Sequence, residues 1–282
     1  MANIKMPIDV LIDRVGALPT MPMVARRASE VINDPKSSMA DLASIIKLDQ
    51  SMASLVLRWV NSAYYSLMQP VTTVEQAVTY LGYRTVQNLV LSAAVANFMS
   101  KPIRGYALER GALWKHGVGT SAGARLIVQS IDPSLADDAY YAGLFCDVGK
   151  LVFDVALQRV NYVIKPHKNR TFHDTEIEIF GYDHAAVSAT MAQRWKLPEY
   201  LAQVIQLHHT PSKAEDKWKL LTYAVHAADA VSMAYIMSIG QDRLPYPLDP
   251  GVKDVLRWNE KSFEDIKQKV TPMIEEIEAF LK

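Results

Sequence analysis

Residues 72–90 read TTVEQAVTYLGYRTVQNLV. Val74, Ala77, Val78 and Leu81 fall at i, i+3, i+4 and i+7, which is the spacing of one helical face. Ahead of them, Thr72 and Glu75 have the spacing of a capping box, in which each side chain satisfies a backbone N–H at the helix start. Gly82 suits the left-handed position that closes a helix. Val86, Leu89, Val90 and Ala93 then begin the same stripe again. The stretch therefore predicts two helices joined by a tight turn.

The same grammar extends in both directions. Upstream, Ser38 and Asp41 have capping-box spacing, with Asp in the usual Glu position, and Leu42, Ile45 and Ile46 follow on one face. Asp49 is placed to cap the next helix, whose Leu55, Val56 and Val60 share a face. Downstream, residues 113–131 (LWKHGVGTSAGARLIVQSI) form a helix whose small residues let neighbouring backbones approach closely. Residues 139–157 (AYYAGLFCDVGKLVFDVAL) read as a buried helix broken by glycine near Cys146-Asp147. The helix at 184–195 stops before Leu197-Pro198, and Pro198 opens the next. Residues 219–237 are a long apolar helix containing Asp229, and residues 240–251 (GQDRLPYPLDPG) are a loop. The final segment, 262–282, is a charged amphipathic helix interrupted near Pro272. No run alternates with period two between turn residues, so the expected class is all-α.

Composition narrows the function classes. The chain has 282 residues, half of them apolar, with 30 basic and 30 acidic side chains. This is the balance of a globular protein, and its zero net charge gives no global field toward nucleic acid or anionic lipid. A single cysteine excludes an intramolecular disulfide framework. The N-terminal residues are broken by Asp9, Asp13 and Arg14, unlike a signal peptide. The most apolar stretch, 86–99, carries Gln87, Asn88, Ser92 and Asn97 and is too short to span a bilayer. These features point to a cytoplasmic protein with no membrane segment. The LGYR turn at 81–84 has the outline of a helix-turn-helix, with Arg84, Thr85, Gln87 and Asn88 opening a recognition helix. The neutral charge favours plain packing there over DNA reading.

Candidate chemistry lies in dispersed imidazoles and carboxylates. His116 follows Trp114, Cys146-Asp147 precede Gly149-Lys150, His184 opens a helix, His208-His209 close one, and Asp229 sits among apolar neighbours. A carboxylate in such surroundings is costly unless paired or bound to a cation, and Asp147 raises the same question. Each histidine also has a plain reading. His116 and His226 suit hydrogen-bonded core positions, and His208 and His209 suit carbonyls at a helix C-terminus. His167 and His173 lie in a polar stretch that reads as exposed. No pair forms a local metal motif, so any site must assemble from separate helices.

The order His116, Cys146-Asp147-x-x-Lys150, His184, His208-His209, Asp229 resembles the ligand order of HD-domain phosphohydrolases, especially the HD-GYP branch. The N-terminal half sharpens the likeness. NSAYY at 61–65, the TVEQAV helix and the following LG resemble the HDOD domain, the "HD-related output domain" of bacterial signalling. The resemblance covers roughly residues 12–212 and implies an HD-type helical bundle with an N-terminal helical subdomain packed against it. The expected division is 1–100, 101–240 and 241–282. It also implies a signalling domain that contacts partner proteins, generally without catalysis. The alternative it carries is a metal-dependent phosphohydrolase acting on a nucleotide or cyclic dinucleotide.

Carried over from the enzymes, His116, Cys146, Asp147 and Asp229 would serve one divalent metal (iron, manganese or zinc). Asp147, His184, His208 and His209 would serve a second, with Lys150 near a phosphate. The sequence departs from the hydrolase pattern twice. Cys146 stands where the enzymes have histidine, and no Gly-Tyr-Pro tripeptide occurs, since Gly105-Tyr106 and Gly181-Tyr182 are followed by Ala and Asp. Cys146 has two readings: a thiolate ligand, softer than imidazole and less suited to acidifying a bound water, or a neutral buried thiol.

Overall fold

A computed structural model describes residues 3–16, 27, 31, 36–61, 67–165, 171–236, 246–259 and 261–281. Among them the regular structure is helical. The sole β feature is an isolated antiparallel bridge between Ile103 and Leu108. No helix in the described residues is long and apolar enough to cross a membrane. The chain forms two compact units, residues 19–98 and residues 1–18 with 99–282.

In the smaller unit, α2 (Met39–Lys47), α3 (Gln50–Val60) and α4 (Val74–Leu81) pack on one another, after α1 (Ile8–Val15) of the larger unit. Their inward stripes supply Leu42, Ile46, Val56, Val60, Val74 and Val78. The caps follow the sequence. Ser38 and Asp41 form a full capping box, and Asp49 accepts from the Met52 N–H. The box on α4 is one residue later than its expected position: Thr73 caps the helix and Gln76, not Glu75, reaches back. Gln76 Oε1 accepts from both the Thr72 and Thr73 N–H groups, which a neutral amide oxygen at that register does as well as a carboxylate. Asn61, the first residue of NSAYY, clamps the chain before α4 by accepting from Val71 N–H and donating to Val71 carbonyl, each at 2.7 Å. Residues 62–65 of that motif lie outside the described residues.

Helix α5 (Tyr83–Met99) continues with Val86, Leu89, Val90 and Ala93 buried. Thr85, which would help open a recognition helix, is buried and so faces the core, as the favoured reading of plain packing expects; the side chains of Arg84, Gln87 and Asn88 lie outside the described residues.

The larger unit is organised around α6 (Ala112–Gln129). It is flanked by α7 (Ala136–Phe145), the long α12 (Asp216–Ile236) and α14 (Ser262–Leu281). Between them come α8 (Gly149–Arg159), α9 (Phe172–Phe180), α10 (His184–Arg194), α11 (Glu199–Leu207) and the short α13 (Val252–Val255). Gly143 shows why small residues are needed at the α6–α7 crossing: a Cβ there would come within 2.9 Å of the Ser121 backbone. The helix at 262–281 is continuous through Pro272, where an interruption was expected. Pro272 and Gln268 both face solvent, so the carbonyl deprived of its donor can be hydrated and the helix persists.

The first helix belongs to this unit. It packs on α8 and α10, where Arg194 donates to Asp9 and Asp13, and Arg159 donates to the Arg14 carbonyl.

Candidate metal centre

The predicted break near Cys146-Asp147 is real, and it positions the centre. α7 ends at Phe145 and α8 begins at Gly149, leaving Cys146, Asp147 and Val148 in the turn. The turn lies deep because α8 crosses α10 with almost no gap: a Cβ on Gly149 would meet the His184 carbonyl at 2.3 Å. Ser188 on α10 accepts the Gly149 N–H at 2.8 Å. This crossing brings the Asp147 side chain beside the first residue of α10, His184.

Residues from five segments meet at Asp147. Its Oδ2 lies 2.5 Å from Lys150 Nζ and 3.0 Å from His116 Nε2. The same His116 nitrogen is 2.7 Å from Asp229 Oδ1. His184 Nε2 lies 2.9 Å from Asp147 Oδ1 but points to His209 Nε2 at 3.0 Å, so the first contact is ionic and not a hydrogen bond. His208 Nδ1 engages the Ile205 carbonyl at 2.7 Å, leaving only Nε2 free to face the centre. Asp147, Lys150, His116, His184, His208, Asp229 and Cys146 are all buried, and His209 is partly exposed. Each of the singled-out residues on separate helices thus reaches one locus, wholly inside the larger unit.

Two participants had no place in the sequence reading. Glu176 accepts from the His184 N–H at 2.7 Å and contacts His184 Nδ1 at 2.6 Å, while Tyr106 donates to its other oxygen at 2.7 Å. The available signal was its place with Ile179 and Phe180 at i, i+3, i+4, an acid on the buried face of α9. Tyr246 donates to Asp229 Oδ2 from the proline-rich segment. His226 is the hydrogen-bonded core histidine it was expected to be, donating from Nδ1 to the His208 carbonyl at 2.8 Å and accepting the Asp249 N–H at 3.0 Å. His173, expected to be exposed, instead pairs with Asp183 at 2.9 Å and its ring meets that of His209, because the start of α9 packs at the edge of the centre. His167 lies outside the described residues.

Electrostatics follow from this crowding. Burial alone would neutralise Asp147, but Lys150, His184 and His116 outweigh it and hold its carboxyl well below the usual range. Burial likewise opposes ionisation of Asp229, yet His116 draws it down to about 2. His116 would lose its proton to burial were it not for Asp147 and Asp229, which lift it to about 9. In His184 burial is overcome chiefly by Glu176, and the ring rises to about 10. His208 and His209 go the other way, lowered first by burial. Burial and then the carboxylates of Asp147 and Asp229 push the Cys146 thiol well up, and its Sγ donates to the Gly143 carbonyl at 3.2 Å.

The donors suit a cation. His116 Nδ1, Asp147 Oδ1 and His208 Nε2 are buried polar atoms with no hydrogen-bond partner among the described residues. Ligand atoms of Cys146, Asp147, His208 and Asp229 lie within 4.8 Å of one another, as do those of His184, His208 and His209. Both groups draw on the single free nitrogen of His208, so in this arrangement they do not fill together.

Comparison with known proteins agrees with this architecture. An uncharacterized protein of Treponema pallidum (strain Nichols) is 27% identical over 221 residues, 77% of this chain; the chain spans only 42% of that relative. An HDOD domain protein of unknown function from Geobacter sulfurreducens superposes with a TM-score of 0.69 at 23% identity, covering 97% of this chain and 95% of its own. A candidate phosphohydrolase from Shewanella amazonensis SB2B gives 0.70 at 20% identity, covering 95% and 97%. A candidate signal transduction protein from Marinobacter aquaeolei VT8 gives 0.72 at 19% identity, covering 99% and 62%. At these identities the likeness is one of fold. The HDOD domain model itself matches residues 18–211, from the end of the first helix past the His208-His209 pair, and the chain belongs to the HDOD family.

Proposed function

We propose that this chain is a non-catalytic signal-transduction domain of the bacterial cytoplasm, acting through contacts with partner proteins. Its buried centre ties the helices of the larger unit together and accepts at most one divalent ion as a structural element. The observation that carries the reading is the state of Asp147. The residue that would bridge two metals in a phosphohydrolase has one oxygen taken by Lys150 at 2.5 Å and His116 at 3.0 Å, with all three side chains closed to solvent. Lys150, the candidate phosphate ligand, is spent in that pair.

Chemistry points the same way. Cys146, Asp147, His208 and Asp229 would hold one ion, and a thiolate with two carboxylates favours zinc or iron(II). Such a ligand set is rich in negative charge and lowers the acidity of any bound water, the reverse of what phosphoester hydrolysis needs. A closed four-donor shell is the form of structural metal sites, which contribute folding energy instead of turnover.

A second reading, the metal-dependent phosphohydrolase, is favoured by one observation: His116, Asp147, His184, His208, His209 and Asp229 converge on one locus. Purified protein loaded with manganese, iron(II) or zinc decides between them. No hydrolysis of bis(4-nitrophenyl) phosphate, nucleotides or cyclic dinucleotides above a metal-only blank is expected. Turnover that disappears in Asp147→Ala would overturn the proposal.

A further inference from the structure

Asp229 is held from two sides. His116 approaches from α6, and Tyr246 donates its hydroxyl to Oδ2 from the segment that follows α12. The same hydroxyl lies 3.2 Å from the His226 carbonyl. Three residues on, the Asp249 N–H donates to His226 Nε2 at 3.0 Å. The Asp249 carboxylate accepts from the Tyr223 hydroxyl at 3.0 Å and from the Gly251 N–H at 2.9 Å. Tyr223, His226 and Asp229 are three residues apart on α12 and so make one stripe along it. Residues 246–251 lie along that stripe, bonded to each of its members.

The position of this segment matters more than its bonds. Tyr246 is partly exposed, whereas the Asp229 it reaches is 1% exposed, so the tyrosine spans from the surface to the centre. His209 and His173 are also partly exposed there. The His209 ring is 5.7 Å from that of Tyr246 and 5.1 Å from that of His173. These rings form the solvent side of the centre. His173 belongs to α9 and His209 follows directly on α11, but Tyr246 is carried by irregular chain. The segment also lies beyond residues 18–211, so it is an addition to the part of the chain that the family model matches.

We propose that Tyr246–Gly251 is a strap that closes the buried centre, with Tyr246 as its latch on Asp229. Released, it exposes Asp229 and the neighbouring Cys146, whose ligand atoms lie within 4.8 Å of each other. Access to the centre is then set by a local opening of the strap, on a smaller energy scale than unfolding of the helices. The inference rests on the reading of the centre as closed and gives that closure a specific device.

Cys146 is the only cysteine and is fully buried, which makes it a built-in reporter. The 282-residue chain, freed of metal with a chelator, is labelled with dithiobis(nitrobenzoate) under native conditions. Tyr246→Phe keeps the ring and removes both hydroxyl contacts; it should label at least about tenfold faster than wild type, the scale of a lost hydrogen bond to a charged group. Asp249→Ala frees the other end and should also accelerate labelling. Tyr200→Phe, which removes a hydrogen bond to Asp138 away from the strap, should leave the rate unchanged. If Tyr246→Ala does not fold, these milder variants still decide. Wild-type rates in Tyr246→Phe and Asp249→Ala would overturn the strap, as would rates that follow only the urea-measured global stability across all variants. No substrate is involved, so hydrolysis by the wild type would remove the non-catalytic reading without touching the labelling ratios. Flat labelling would remove the strap and leave that reading intact.

Discussion

Lys150 Nζ lies 2.5 Å from Asp147 Oδ2, three residues away across the start of α8, and both side chains are closed to solvent. An exposed pair of this kind contributes little, but here each partner was taken out of water and depends on the other. Removing one leaves its partner's buried charge in excess, with only His116 and His184 left to hold Asp147, or Glu176 and Asp229 to attract Lys150. Lys150→Met is therefore expected to destabilise the larger unit by about 3 kcal/mol or more. Asp147→Asn combined with Lys150→Met should cost less than the two single changes added together. Urea unfolding followed by circular dichroism measures all three variants. Strict additivity would mean that the pair is not coupled.

Gly149 supports a second expectation. A Cβ there would lie 2.3 Å from the His184 carbonyl and 2.9 Å from the Ser188 N–H, and both obstacles are backbone or anchored to it. Gly149→Ala must push α8 from α10 and break the Gly149–Ser188 hydrogen bond. A cost of about 2–3 kcal/mol follows from overpacking together with the lost bond. Gly82→Ala offers a contrast: its Cβ would meet nothing within 4 Å, so its penalty comes from φ of 78° alone. Denaturation midpoints should rank Gly149→Ala below Gly82→Ala.

The helices were legible because their signals are local. Ser38 with Asp41, Asp49 with Met52, and the stripe of Val74, Ala77 and Val78 are short-range patterns, and the structure repeats them. The same short range explains the one-residue slip at Thr73, since Thr72 and Thr73 are both capping residues and Glu75 and Gln76 both complete a box. The convergence on Asp147 was legible only through family order, because His116 and Asp229 are 113 residues apart and no spacing rule joins them. Glu176 and Tyr246 were missed for different reasons. Glu176 was hidden on an apolar face that its neighbours define. Tyr246 sits among prolines that read as loop, and nothing local says that the loop folds back on α12.

A third expectation concerns pH in the metal-free protein. His116 and His184 rise from the ordinary 6.5 to about 9 and about 10, so each binds its proton more tightly folded than unfolded. Their stabilisation is whole below about pH 6.5 and is lost as pH rises through 9 and 10. The urea midpoint should fall across that window. The buried Cys146 thiol, also pushed upward, would add a fall of the same sign, so Cys146→Ser is the proper background. Glu176→Gln removes the strongest attraction on the His184 proton and should make the fall smaller and bring its end to lower pH, with its onset unmoved. A midpoint that stays flat from pH 6.5 to 10 in the Cys146→Ser background would contradict the charged state assigned to both rings.

The stoichiometry of metal binding is the sharpest expectation. His208 Nδ1 is committed to the Ile205 carbonyl, so one nitrogen, Nε2, serves both candidate donor groups. Chelator-treated protein titrated with cobalt(II) should take up one equivalent. Ligation by Cys146 requires its thiol to ionise against burial and two carboxylates, so binding should release protons and strengthen as pH rises. A sulfur-to-cobalt charge-transfer band should appear and be absent in Cys146→Ser, with affinity weakened about 10-fold or more, since even an outer-shell partner of a metal contributes that much. His208→Ala should weaken uptake more than Cys146→Ser does, because it takes a donor from both groups at once. Two equivalents bound to wild type would mean that the donors re-sort into separate shells around a bridging Asp147. The Lys150–Asp147 pair would then have to open for metal to enter, and the case for a structural single-ion centre would lose its footing.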